Sequence, residues 1–440
     1  MLRREQTEGA CPSDNVEPAR PAPSGRRPAA PAAAQGGSPM RVADGAARLL
    51  RFAAAALLLA ALAPAASSAD DGFTFKWSNG FKLESEDGDF ALKFGGRIQA
   101  DWTFVSADAE LGELEDGFEF RRARLFFEGT IYKRVEFKAQ YDFAGGDADF
   151  KDVYVGIKSR WGTVRFGHYK EYFSLEELTS SKYLAFLERS LPVQAFSPSR
   201  NSGAGVHGKR GDAFNWGFGV FYDADDFGFS QDEDRIDVTG RIAYRPLYED
   251  GGKRLIHLGL SASEKDLEDG GRFRFRARPE AHLAPRFVST GRFAADGATL
   301  LDLELAGVFG PFWFAAEHLT ADVDAPAAGD PSFDGFYVQA GYYLTGEHRR
   351  YKTSSGAFDR QKPKRIFGKD GGKGAIEIAA RYSTVDLTGG AIAGGEQDDL
   401  TLAINWYLNP ATRLMVNFVN ADVDGAGDAD YVLVRWQVDF

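Results

Sequence analysis

Apolar residues occupy every second position over the last nine residues of the chain, and this alternation constrains the fold more than any other feature. Side chains two residues apart in a strand point to the same face, so the segment predicts a strand with one apolar and one mostly polar face. The apolar face would carry Val432, Val434, Trp436, Val438 and Phe440, and the other face Leu433, Arg435, Gln437 and Asp439.

The same alternation recurs along the chain from residue 90 onward, whereas no apolar run after residue 69 approaches the length of a membrane helix. If the chain spans a membrane, it must do so as a closed barrel, because lipid offers no partner to unpaired backbone groups. A soluble barrel with its charges outside is the alternative. The aromatic-rich apolar face, the chain length and a signal peptide favour lipid outside and water inside.

Short turns set the number of strands. Four short segments contain residues that favour tight turns: Arg160–Gly162, Lys209–Asp212, Gly310–Pro311 and Asn409–Pro410. Outer-membrane barrels place their short turns in the periplasm. Each turn must then follow an even-numbered strand, which predicts an all-β, transmembrane antiparallel β-barrel of 16 strands. The strands are expected near 90–106, 117–130, 133–144, 150–160, 163–171, 203–210, 214–224, 235–246, 254–263, 298–309, 311–322, 333–345, 374–387, 398–408, 412–420 and 430–440.

The N-terminal region predicts export. Residues 40–69 are interpreted as a signal peptide, because arginines precede a short apolar run and a small-residue cleavage site. Residues 1–39 are rich in Pro, Ala, Gly and Arg and are interpreted as a disordered or non-native leader. Residues 70–89 are expected to form a periplasmic segment and residues 90–440 the barrel. The only cysteine, Cys11, lies in the leader, which excludes a disulfide framework in the exported chain.

Charge and motifs exclude several classes of function. The chain has 52 basic and 64 acidic residues, of which 8 and 5 precede Asp70, so the exported part has a net charge of −15 and is a poor match to nucleic acid. None of the six histidines shows paired metal spacing, and no nucleotide-type glycine loop occurs. We therefore predict no catalytic residues, no metal and no cofactor.

Three groups of basic residues are candidates for an anion path. Arg97, Arg122 and Arg124 are expected to point inward on the first two strands, and Arg121 to point the opposite way. A second group, Arg272, Arg274, Arg276 and Arg278, alternates with Phe273, Phe275 and Ala277. An extended backbone would set these guanidiniums on one side about 6.6–6.8 Å apart, either as a ladder for anions or as a solvated hairpin.

The third group lies in the basic connection 346–373 and includes Arg349, Lys352 and Lys362. The strand count places this long connection on the short-turn side, where it either hangs into the periplasm or folds up into the pore. The segment 172–202 is expected to be the third outer loop, and loops of outer-membrane barrels can fold into the lumen. For any single inward arginine, pairing with a glutamate across the lumen is the purely structural alternative.

Four stretches, 162–189, 341–351, 374–383 and 404–418, resemble the phosphate-selective porin O and P family. The most specific motifs are Tyr-Leu-Thr-Gly-Glu at 343–347 and Asn-Trp-Tyr-Leu-Asn-Pro at 405–410, and the aromatic terminus resembles the closing signal of outer-membrane barrels. The resemblance covers essentially all of residues 73–440.

This resemblance implies a trimeric barrel in the bacterial outer membrane that passes phosphate or polyphosphate, with outer-membrane lipid around it. It also implies that the third loop, the fifth loop at 264–297 and the connection 346–373 fold into the lumen. Arg97, Arg121, Arg122 and the 272–278 arginines would line the anion path, with Lys182 as the candidate in the third loop. A general diffusion porin of other selectivity, and a plugged barrel acting as a receptor or adhesin, are the alternatives.

Overall fold

The computed structural model of the protein describes residues 72–440 apart from 78–79, 147, 231–235 and 268–270. The predicted leader, 1–39, and the predicted signal peptide, 40–69, lie outside the described residues. No helix within the described part of the chain is long and apolar enough to cross a membrane.

Sixteen antiparallel strands form one closed barrel, as the alternation and the turns predicted. Each strand pairs with its neighbours in sequence, and β16 closes on β1 from the pair Ala429–Ala107 to the pair Asp439–Arg97. The strands are β1 (Ala91–Ala107), β2 (Gly117–Ile131), β3 (Val135–Asp142), β4 (Asp149–Lys158), β5 (Thr163–Lys170), β6 (Arg200–Arg210), β7 (Phe214–Tyr222), β8 (Asp237–Glu249), β9 (Arg254–Asp266), β10 (Gly297–Phe309), β11 (Phe312–Asp324), β12 (Ser332–Tyr343), β13 (Ala375–Gly389), β14 (Ile392–Asn409), β15 (Thr412–Val423) and β16 (Gly427–Asp439).

An N-terminal hairpin, Phe73–Trp77 and Phe81–Ser85, extends the sheet below the point where β16 ends. Its second strand pairs with Ala91–Phe94 of β1. Phe440 and Gly96 exchange two backbone hydrogen bonds, with the Phe440 amide donating at 3.0 Å and the Gly96 amide at 2.7 Å. Barrel closure is thus completed by the aromatic C-terminal residue.

The two faces of the barrel strands meet different environments. On β16, the outward Trp436 is 45% exposed, whereas the neighbouring Arg435 is fully buried. On β1, the apolar Trp102 is exposed outward, whereas Gln99 and Asp101 are buried on the inner face. The apolar face therefore points away from the barrel and the charged face into the lumen, as expected from the sequence.

Three segments fold into the lumen: L3 (171–199), the described residues of L5 (267 and 271–296) and the 344–374 segment between β12 and β13. Each contacts inward side chains of the wall. Asn405 Nδ2 donates to the Ala185 carbonyl of L3 at 2.8 Å, and the backbone amide of Glu280 in L5 donates to Asp399 Oδ2 at 2.8 Å. Arg241 Nη2 donates to the Gly356 carbonyl in the 344–374 segment at 2.9 Å. The predicted inward folding of all three segments is confirmed.

L3 contains two short helices, α1 (Leu175–Leu178) and α2 (Leu191–Phe196). Ser174 caps α1, because its hydroxyl accepts a hydrogen bond from the Glu177 amide at 3.0 Å. Pro192 lies in the first turn of α2, where its missing N–H removes no helical hydrogen bond. The apolar side chains of both helices join a core with the inner wall, so L3 is packed against the wall and is not a free loop.

Candidate functional site

A cavity of about 360 Å³, here called the basic chamber, lies between L3 and the first strands of the barrel. It contrasts with the acidic chain as a whole, because ten basic and only three acidic side chains line it. These residues are Lys93, Arg97, Arg122, Arg124, Lys138, Lys170, Lys182, Arg189, Arg200 and Lys352, with Glu128, Asp152 and Asp359. The fold has therefore sorted positive charge into one part of the lumen.

Arg97 is the least neutralised of the buried arginines in this chamber. Its side chain is 4% exposed, and Nη1 donates to Ser181 Oγ of L3 at 2.7 Å. Within the described ranges, no carboxylate oxygen pairs with its guanidinium within 4.0 Å. Its cross-strand partner on β2 is another arginine, Arg124. A buried guanidinium without a carboxylate partner is an unsatisfied positive charge in the lumen wall.

A β-bulge changes the predicted orientation on β2. Gln99 of β1 pairs with Arg122 and Ala100 pairs with Phe120, so Arg121 is the extra residue. The predicted orientation of Arg121, opposite to its neighbour, is wrong, because the bulge turns both arginines inward. Arg121 Nε and Nη2 both donate to the Glu188 carboxylate of L3 at 2.9 Å.

Arg122 lies next to this bidentate pair. Its Nη1 donates to Gln99 Oε1 at 3.0 Å and is 3.7 Å from Glu188, while its buried Nε has no protein partner.

The remaining chamber cations share a few carboxylates. Arg124 pairs with Asp142 at 2.5 Å. Lys138 and Arg200 share Asp152, and Lys170 and Arg189 share Glu177, all at 2.8 Å. Two cations for one carboxylate leave a net positive field.

Lys182 projects from L3 over the same chamber. Its Nζ lies 3.7 Å from Asp439 and 5.7 Å from the centre of the Phe126 ring. Burial lowers the pKa of Lys182 to about 7; Asp439 opposes this shift, while Arg97 and Arg360 add to it. The charge on this residue is thus sensitive to pH near neutrality.

Backbone carbonyls of L3 hold the loop above the chamber. Arg349 donates to the Tyr183 carbonyl at 2.6 Å and Arg413 to the Leu184 carbonyl at 2.6 Å. Arg435 donates to the Leu187 carbonyl at 2.7 Å. Arg349 is itself buried between the Trp313 and Phe358 rings, each 4.8 Å from its guanidinium carbon. Arg349 thus connects the 344–374 segment to L3, and its Nη1 lies 3.8 Å from Glu377 of the wall.

The arginines of L5 occupy a separate region. Arg272–Phe273 and Arg276–Ala277 are two short strands outside the barrel sheet, and residues 274–275 between them are not in a strand. The alternation itself persists, because Phe275 and Ala277 are buried while Arg272 and Arg274 are exposed. Burial lowers the pKa of Arg276, and the nearby Arg286, Arg274 and Arg292 lower it further.

The predicted site residues therefore fall into several places. Arg97, Arg122, Arg124, Lys182 and Lys352 line the basic chamber, and Arg121 borders it through Glu188. Lys362 is exposed and lies outside the chamber lining. Sequence reasoning missed Lys93, Lys170, Arg189 and Arg200 in the chamber, and Arg286 and Arg292 on L5. Inward parity could have identified Lys93. Lys170 and Arg200 lie at the ends of the two strands that flank L3. Arg189, Arg286 and Arg292 depend on the path of the two loops.

A closed sixteen-stranded barrel with an apolar outer wall and loops folded into a charged lumen defines a porin of the bacterial outer membrane. The chain belongs to the phosphate-selective porin O and P family, whose model matches residues 92–440. It is 30% identical over 442 residues to an uncharacterized protein of Caulobacter vibrioides, covering 95% of this chain and 85% of that protein.

Two further proteins are similar to the chain. Porin O of Pseudomonas aeruginosa is 29% identical over 446 residues, which cover 89% of this chain and 99% of Porin O. Among solved structures, an anion-selective porin from Comamonas acidovorans is 16% identical with a TM-score of 0.53 and covers 80% of this chain and 100% of that chain. This structure supports the barrel fold.

Proposed function

We propose that the protein is a passive, anion-preferring channel for phosphate or polyphosphate. The observation that carries the proposal is the unneutralised guanidinium of Arg97 in a chamber lined by ten cations and three carboxylates. An entering anion would supply the missing negative charge. No covalent step is needed, because the ion only has to exchange part of its hydration for hydrogen bonds to the protein.

The chemistry of the lining suits phosphate. Arginine presents a planar fork of donors that matches phosphate oxygens, and lysine adds a compact charge. One unit pair at 4 Å is worth about 4 kcal/mol at an effective dielectric constant near 20. A conducting pore cannot bind its ion too tightly, so several comparable positions favour flow over one deep site. The cations of L5 and of the basic chamber provide such positions.

A plugged barrel acting as a receptor is the second candidate, and the three segments packed inside the lumen favour it. The two candidates differ in conductance, because a plugged barrel passes no steady current in a planar bilayer.

We also propose that the protein assembles as a homotrimer, as the family resemblance implies. Native mass spectrometry in detergent measures this directly, and a monomeric mass would exclude it.

Phosphate block of the chloride current tests the channel proposal. Phosphate added to a bilayer in KCl should reduce the chloride current in a saturable way, because both anions compete for the chamber. Arg97→Gln should weaken this block about tenfold, as expected for loss of a charged hydrogen-bond donor. Arg254→Gln is the matched control, because Arg254 is exposed at a short turn and pairs with Glu249 at 2.6 Å. Equal block in the two variants would contradict the role of the chamber.

A further inference from the structure

Arg381 on β13 is a wall residue that donates hydrogen bonds to both L3 and L5. The Arg381 side chain is 1% exposed. Its Nε donates to Glu280 Oε2 of L5 at 2.8 Å, and its Nη1 donates to Glu176 Oε1 of L3 at 2.9 Å. Its Nη2 donates to the Glu188 carbonyl of L3 at 2.9 Å and also to Glu280. One guanidinium thus bridges two loops that are about one hundred residues apart in sequence.

The L5 end of this bridge is enclosed by the wall. Glu280 is fully buried, and its carboxylate also accepts hydrogen bonds from Ser383 Oγ at 2.7 Å and Thr401 Oγ1 at 2.6 Å. Its backbone amide donates to Asp399 at 2.8 Å. Arg381 is the only cation that pairs with the Glu280 carboxylate within the described ranges. Removing the guanidinium would leave a buried charge without its counter-ion.

The L3 end of the bridge reaches both halves of that loop. The second oxygen of Glu176 accepts hydrogen bonds from the Ser190 amide at 2.9 Å and the Ser190 hydroxyl at 2.8 Å. Glu176 belongs to α1, and Ser190 directly precedes α2. The Glu176 carboxylate therefore links Arg381 to the start and to the middle of L3.

The two loops also touch each other beside this bridge. Gln194 of L3 donates to the Arg278 carbonyl of L5 at 3.3 Å, and the Phe196 and Phe275 rings meet edge to face with centres 5.2 Å apart. Leu187 of L3 also lies in one apolar cluster with Ala281 and Ala284 of L5. Arg381 adds charge-assisted hydrogen bonds to these contacts, and such bonds are stronger than those between neutral groups.

We infer that Arg381 is a positioning residue that ties L3 and L5 into one unit, so that the two loops open together. The basic chamber beneath L3 and the arginines of L5 would then keep a fixed relative position along the pore. That consequence rests on the proposed function, whereas the coupling of the loops does not. Arg381 would thus control the geometry of the anion path without itself binding the permeating anion.

Hydrogen–deuterium exchange of the detergent-solubilised protein tests the inference. Arg381→Met should accelerate amide exchange about tenfold or more in both 175–190 and 275–284, since loss of charged hydrogen bonds lowers the cost of local opening. Arg435→Met is the matched control. Arg435 is equally buried and donates to the Leu187 carbonyl at 2.7 Å and to Glu188 at 2.9 Å, and it contacts L3 but not L5 in the described chain. Faster exchange in that variant should be confined to L3.

Arg381→Lys keeps the experiment informative if Arg381→Met does not assemble. Lysine preserves the buried charge but lacks the planar fork, so it should accelerate exchange in both loops by a smaller factor. Faster exchange in only one of the two loops, in Arg381→Met or in Arg381→Lys, would overturn the inference. Faster exchange of L5 in Arg435→Met, by the same factor as in Arg381→Met, would also overturn it. A wild-type channel without anion preference would contradict the proposed function and leave these exchange results unaffected.

Discussion

Arg97 and Asp439 are cross-strand partners where β1 meets β16, yet their side chains bond elsewhere. The Asp439 carboxylate accepts a hydrogen bond from Arg360 of the 344–374 segment, with Lys182 Nζ 3.7 Å away. Arg97 donates to Ser181 at 2.7 Å. The 344–374 segment thus neutralises the carboxylate that lies opposite Arg97 on the neighbouring strand, and Arg97 keeps its positive charge.

Arg360→Gln should therefore reduce anion preference although Arg360 itself lies outside the chamber lining. Without Arg360, Asp439 becomes available to Arg97 and Lys182, and an added carboxylate charge competes with the entering anion. We expect the phosphate block to weaken about tenfold, the effect of one charged contact. Arg365→Gln, in the same segment but with an exposed side chain, should leave the block unchanged. Unaltered block in Arg360→Gln would disprove this role for Asp439.

The charge of Lys182 should make selectivity depend on pH. Its pKa is lowered to about 7, so the ammonium is present below pH 7 and is lost as the pH rises through 7. Anion preference in bilayers should decrease between pH 6 and pH 8, because one positive charge disappears from the chamber. Lys182→Arg should flatten this dependence, since arginine stays charged. A pH dependence that persists unchanged in Lys182→Arg must come from another group.

The arginines of L5 should contribute to conductance by attracting anions toward the pore. Arg274→Ala combined with Arg276→Ala should lower anion conductance without disturbing assembly, because Arg274 is exposed and Arg276 is half-buried. The loss should be larger at low than at high salt, since screening weakens long-range attraction. Conductance that matches the wild type at low salt would exclude a part for these arginines in the path.

Gly95 should be required for barrel closure. A Cβ at this position would lie 2.3 Å from the Phe440 carbonyl oxygen and 2.8 Å from the Phe126 ring. Gly95→Ala should therefore destabilise the barrel by about 1–3 kcal/mol, the usual cost of overpacking, and lower its melting temperature. Gly240→Ala gives a comparison at a glycine where the nearest atom to an added Cβ, in the Phe218 ring, is at an ordinary 3.5 Å. An unchanged melting temperature in Gly95→Ala would mean that the C-terminal residue can move without cost.

The barrel could be predicted from sequence because its signals are local. Two-residue alternation locates each strand, and short turns such as Gly310–Pro311 fix which end of the barrel each connection occupies. The parity of the strands then requires the 272–278 arginines to belong to a connection and not to a barrel strand, and the structure agrees.

The site was less predictable because its geometry is not local. Arg121 faces inward only because a bulge adds one residue to β2, and alternation cannot show a bulge. Arg189 reaches the chamber because L3 folds back into the lumen, which depends on contacts with distant strands. Arg200 was missed because β6 begins three residues before the predicted strand. Arg349 was expected on the anion path but is buried between Trp313 and Phe358, an outcome that no local pattern contains.

The zero-current potential of the wild-type channel under a KCl gradient tests the central claim most directly. A lumen whose free charge is positive should pass chloride in preference to potassium, so the potential should take the sign of the chloride equilibrium potential. Phosphate in place of chloride should preserve that sign. A potential with the sign of the potassium equilibrium potential would contradict the account, because the acidic residues and not the basic chamber would then control the pore.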